Sequence, residues 1–254
     1  MHHVGIETAL RRDRWAVAGS LAAVAGLAWL YLWREAASMN HAGSMTMPAM
    51  DARTITLTFV MWVVMMAGMM LPSAAPAVLF YGTLVRKNRE QRAVLPAVWV
   101  FACGYLLVWV GFSVAATLLQ ASLEHAALLT PMMASASKPM SGLLLVVTGI
   151  YQLTPLKDIC LDKCRDPMRF FLTHWRAGTG GTLRMGMLHG AYCVGCCWAL
   201  MLLLFAAGVM NLAVVALIAA FVFVEKLLPA GRLSARFSGV ALLLSGFIVL
   251  AGNG

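Results

Sequence analysis

The chain has 254 residues, of which 61% are hydrophobic and 11% charged, with a mean hydropathy of +0.82. Soluble domains use roughly 45–50% apolar residues, so a water-soluble globule is excluded and the sequence reads as an integral membrane protein. The net charge of +9 does not call for nucleic acid as a partner, because the basic residues are divided among loops in the manner that membrane insertion requires.

Uncharged apolar runs of about 18 residues or more, enough to cross a hydrocarbon core of roughly 30 Å, can be laid out as seven segments. They fall near residues 15–33, 55–79, 94–119, 139–156, 186–208, 211–228 and 237–252. The expected fold is an all-α, polytopic transmembrane bundle of about seven spans, one membrane domain over residues 1–254. The first run, Trp15 to Trp33, is 19 residues long; it exceeds the roughly 7–15 of a signal-peptide core and is expected to stay as a helix.

A short outer loop follows at 34–54, rich in methionine: MNHAGSMTMPAMD. The second run has no charge from Thr54 to Val85, 32 residues and roughly 48 Å of helix, with Pro72 and Pro76 expected to kink or break it. Within it, MWVVMMAGMMLP places Met61, Met65 and Met69 on one stripe with Met66 and Met70 beside it. Thioethers are neutral, polarizable ligands that favour Cu(I). His41, Met45, Met47 and Met50 in the outer loop would begin a metal-collecting route that this stripe continues; helix packing is the alternative use of the same methionines.

Between the fourth and fifth runs lies a loop at 157–185. It is expected to hold a short helix with CLDKC, an interfacial stretch PMRFFLTHW and a flexible GTGG, with His174, like His125 elsewhere, as a loop residue. Cys160 and Cys164 share a helical face there. The fifth run then begins HGAYCVGCCWALM, where Met185, His189, Cys193, Cys197 and Met201 repeat every four residues and Cys196 joins them by its three-residue spacing from Cys193. Cys103, in the third run, lies at a compatible depth and alone reads as packing. Glu225 and Lys226, at the end of the sixth run, read as an interfacial anchor.

Of the 19 Lys and Arg residues, 16 fall on one side of this layout, and only Arg34, Arg53 and Lys138 on the other. Basic residues are retained in the cytoplasm, so the N-terminus is inside and the C-terminus outside. The thiols then face a reducing compartment, which excludes a disulfide scaffold and leaves metal ligation or redox chemistry. Thiolate and imidazole suit Cu(I), Zn(II) or iron and not Mg or Ca. No Ser/His/Asp grouping, phosphate-cradling Gly loop or HExxH motif is present, so no catalytic residue is assigned.

The runs YQLTPLKDICLDKC and RMGMLHGAYCVGCCWALM, with VMNL, VEKLLPAG and the upstream MMAGMMLPSAAP, resemble a bacterial family of predicted metal-binding integral membrane proteins of unknown function. The resemblance implies a multi-pass protein of the bacterial cytoplasmic membrane that binds metal through His189, Cys193, Cys196, Cys197, Cys160 and Cys164. It implies no reaction and no particular metal. Donor softness and methionine placement favour copper, with zinc or iron as alternatives, in uptake, delivery or metalloenzyme assembly. The partners expected beside the bilayer are a metallochaperone, an apo-metalloenzyme or other membrane subunits. A membrane thiol-disulfide oxidoreductase is the competing reading, weakened because no cysteine lies in the outer loops, and a structural subunit with inert cysteines is a third.

Overall fold

The computed structural model describes residues 2–41, 51–88, 94–129, 137–228 and 231–252, and helices account for almost all of them, with no β-strand. The helices are α1 (His2–His41), α2 (Ala52–Asn88), α3 (Val94–His125), α4 (Lys138–Gln152), α5 (Pro155–Arg165), α6 (Pro167–His174), α7 (Gly178–Ala207), α8 (Leu212–Leu227) and α9 (Gly231–Ala251). Their starts follow local chemistry. Ser137, Thr154, Asp166 and Asn211 each turn a side-chain oxygen onto the first free N–H groups of α4, α5, α6 and α8. Asp51 does the same for α2 by accepting from the Thr54 N–H at 2.8 Å, and this bond holds its carboxyl below the usual range.

Five helices, α1, α2, α3, α7 and α9, are long and apolar enough to cross a membrane, and α4 with α5 makes a sixth if the bent pair is one span. The expected run at 139–156 is thus two helices meeting at 66°. Pro155 lacks an N–H and holds Thr154 in extended backbone, which ends α4 and lets α5 start in a new direction. The run at 211–228 forms α8, whose 16 residues cover about 24 Å, short of the roughly 30 Å hydrocarbon thickness.

Three further expectations are corrected. Pro72 and Pro76 do not break the second run, since α2 is one uninterrupted helix of 37 residues. The GTGG stretch is the first turn of α7, not a flexible linker; Gly181 sits so close to the Arg176 carbonyl that a side chain there would collide with it. Arg34 to His41 belong to α1 and Ala52 to Thr54 to α2, so both ends of the loop drawn at 34–54 are helical.

Packing is tightest where glycines let backbones meet. A Cβ on Gly186 would run into the Phe101 carbonyl and one on Gly104 into the Leu183 carbonyl, which locks α3 and α7 together in parallel. Gly149 faces Gly239 and Leu243 in the same way, at 2.9 and 2.8 Å from a built Cβ, and seats α4 antiparallel on α9. Large exposed side chains such as Leu27, Leu217, Phe237 and Ile248 lie on the outer faces of the bundle.

Candidate metal centre

The centre is assembled on α7. The four-residue repeat holds in three dimensions: Met185, His189, Cys193, Cys197 and Met201 are all buried, and Cys196 with them. Helix α5 packs across this face and brings Cys164 close to the Cys193 and Cys196 thiols. Cys160, one turn earlier on α5, touches α7 at Gly195, where a built Cβ would lie 2.7 Å from its sulfur. Only a glycine permits that approach. The Gly195 carbonyl is held by the Tyr151 hydroxyl from α4.

Cys193 is the hub. Its sulfur lies 3.0 Å from the Tyr105 hydroxyl of α3 and accepts from Lys226 Nζ of α8 at 2.9 Å. Lys226 also donates to Ser73 Oγ at 3.0 Å, and Tyr105 donates to the Met70 carbonyl at 3.1 Å, so α2 closes the site on its fourth side. Cys196 and Cys197 both donate their S–H to the Cys193 carbonyl, at 3.1 and 2.9 Å. This parks the two thiols on their own helix. Accordingly no three His, Cys, Asp or Glu side chains among the described residues are posed as a finished coordination shell. Rotation about χ1, between staggered wells, is what would redirect the sulfurs toward Cys193 and Cys164.

One turn before Cys193, His189 is buried among the rings of Phe101, Tyr105 and Phe170, with centroids at 6.0, 5.9 and 5.2 Å. Its Nδ1 has no hydrogen-bond partner. A buried imidazole nitrogen left open costs free energy unless something occupies its lone pair, and thiols with such a nitrogen form a soft donor set suited to a cuprous ion.

Beside this centre lies a second polar knot. Lys157 Nζ meets Glu225 Oε1 and Oε2 at 2.8 and 3.0 Å, and Gln152 bonds to both partners and to Ser238. Lys157 is not a loop cation and Glu225 and Lys226 are not an interfacial anchor: all three are buried. Tyr105, Ser73, Lys157 and Lys226 had no place in the expected site. The available signal was the charged pair closing a short apolar run, since an ionisable residue inside a membrane segment marks function by default.

Of the expected residues, His189, Cys160, Cys164, Cys193, Cys196 and Cys197 share one region; Cys103, read as packing, is exposed. Met61, Met65, Met66, Met69 and Met70 are all buried along α2, and the stripe ends where Tyr105 links the Met70 carbonyl to Cys193. His41 closes α1, while Met45, Met47 and Met50 lie outside the described residues.

A cluster of thiols inside a bundle of long apolar helices is compatible with a multi-pass membrane protein. Residues 59–249 match the family described as PpoB2, copper chaperone, and the chain belongs to that family, which ties it to copper. The matched stretch contains the α2 methionines, the α5 and α7 cysteines and both buried lysines. No curated protein and no solved structure matches the chain.

Proposed function

We propose that this protein is a membrane copper chaperone that carries Cu(I) as cargo on the α5/α7 thiol centre and delivers it at the cytoplasmic face to an apo-metalloenzyme or a soluble carrier. The observation that carries this reading is the approach of the half-buried α5 thiol of Cys164 to the fully buried α7 thiols of Cys193 and Cys196. A cuprous ion takes two or three soft ligands, and thiolate bonds form only with deprotonated sulfur. Lys226, donating to Cys193, supplies a positive charge that offsets the negative charge of a copper-thiolate unit in a low-dielectric interior.

The methionines of α2 supply weaker ligands above this centre, so a gradient of affinity runs from thioether to thiolate. In our reading the chain crosses the bacterial cytoplasmic membrane seven times, with α8 as the short sixth crossing, the N-terminus inside and the C-terminus outside. The basic bias supports this orientation, and the parallel α3/α7 and antiparallel α4/α9 packing supports the alternation.

The test is copper stoichiometry on protein purified under reducing conditions. Cys193→Ser and Cys197→Ser should each strip most of the metal, because the remaining donors cannot complete the set, while Cys103→Ser should leave it in place. Full copper occupancy in the Cys193/Cys197 double variant would remove the thiol centre as the carrier site. Zinc at full occupancy would keep the site and overturn copper as its cargo.

A further inference from the structure

The soft donors of α7 continue past the thiols. Cys197, Cys193, His189 and Met185 follow one another at four-residue intervals, a rise of about 6 Å each, toward the basic end of the helix. Met185 is buried, and it also lines a cavity of about 390 Å³ between α6, α7 and α3 that contains His174 and Met187 as well. Arg176 and Arg184 stand at the same cavity, with no acidic residue lining it among the described residues.

His174 is held in one tautomer. Its Nδ1 lies 3.0 Å from the Phe170 carbonyl, which can only accept, and 2.7 Å from Thr173 Oγ1. The Thr173 hydroxyl spends its own proton on the Arg169 or Phe170 carbonyl, at 2.9 or 3.1 Å. The Nδ1 proton therefore stays on the ring, and neutral His174 carries its lone pair on Nε2. A backbone carbonyl fixing one ring nitrogen so that the other can ligate is the usual support of a metal-binding histidine.

A single ring divides this cavity residue from the buried one. Phe170 stacks on His174 at 5.0 Å and meets His189 edge-on at 5.2 Å.

We infer that the cavity is the port by which the cargo leaves the bundle, with His174 Nε2 and the thioethers of Met185 and Met187 as transient ligands and Phe170 as the partition in front of them. The inference rests on the reading of Cu(I) as cargo of the thiol centre. The step is ligand exchange without electron transfer: the bond from copper to His189 breaks as bonds to Met185 and His174 form, and the ion remains Cu(I). Neutral imidazole and thioether ligands hold it more weakly than thiolates, and the two arginines favour an anionic acceptor.

Two measurements test it. In the first, copper-loaded protein in detergent is mixed with excess bicinchoninate, an anionic Cu(I) chelator, and transfer is followed by absorbance. His174→Phe, which keeps the stacking on Phe170, combined with Met185→Leu should leave copper stoichiometry unchanged and slow transfer about tenfold, the scale of losing one well-supported ligand. His125→Ala, at an exposed site elsewhere, should transfer at the wild-type rate. Wild-type transfer in the double variant overturns the port, and so does loss of bound copper, which would make these residues part of the resident site.

The second measurement does not require a working thiol centre. In Cys193→Ser/Cys197→Ser protein with ¹⁵N-labelled histidine, Ag(I), a redox-inert substitute for Cu(I), should shift the His174 Nε2 resonance, and Met185→Leu/Met187→Leu should weaken the response. An unmoved Nε2 resonance overturns the port whatever the fate of the thiol centre.

Discussion

Two lysines lie buried in one half of this bundle, and they are answered differently. Lys157 meets a carboxylate: Glu225 takes its ammonium on both oxygens, and Gln152 closes the remaining hydrogen bonds. Lys226, the next residue after Glu225, has a thiol and a hydroxyl instead, Cys193 and Ser73. The first arrangement is complete in itself and fastens α5 to α8 at the bend after α4. The second leaves an ammonium whose anion is supplied by the chemistry at Cys193. Under the proposed copper function, the difference separates a polar group that holds the fold from one that serves the cargo site.

Breaking the first pair should have the largest effect. Glu225→Gln leaves Lys157 as an uncompensated buried charge, which costs about 3–5 kcal/mol, and should lower the melting temperature in detergent steeply. Lys157→Met with Glu225→Leu removes both charges together and should recover most of that loss, because a buried ion pair replaced by packed apolar groups is often neutral.

Lys226→Met should reverse the pattern, leaving the fold within about 1.5 kcal/mol of wild type while weakening copper retention. If it melts as low as Glu225→Gln with copper retention intact, the distinction between the lysines collapses. Ser73→Ala removes one neutral partner of Lys226 and should cost about 1 kcal/mol, read in the same melt. The exposed pair of Arg232 with Asp162 sets the lower bound: Arg232→Gln should leave the melting temperature unchanged, as solvent screens surface ion pairs.

The α7 face was legible in the sequence because a four-residue repeat of sulfur and imidazole needs only the helical period to be read. The α2 stripe was legible for the same reason. What the sequence concealed lies at long range: Lys226 is 33 residues from Cys193, Tyr105 is 88 from it, and Ser73 is 153 from Lys226. Periodicity carries no information about such pairings. Lys157 was misplaced because a count of basic residues by loop treats every lysine as solvated, whereas the α4–α5 bend turns this one inward. The glycines at 178–181 were read as slack by composition, and the close packing of Gly181 in the first turn of α7 depends on Arg176, outside the motif.

In the proposed seven-span arrangement, the shortness of α8 carries a mechanical consequence. An apolar segment about 6 Å shorter than the surrounding hydrocarbon layer cannot be matched by tilting, which only shortens its reach; the lipids must compress around it, at a fraction of a kcal/mol per ångström. Lys226 and the hub it contacts sit at one tip of that segment, so in that arrangement elastic strain in the bilayer would draw headgroups and water toward the thiols. Acyl-chain length thereby becomes a variable that acts on the centre: thin membranes relax around α8, and thick ones press on it.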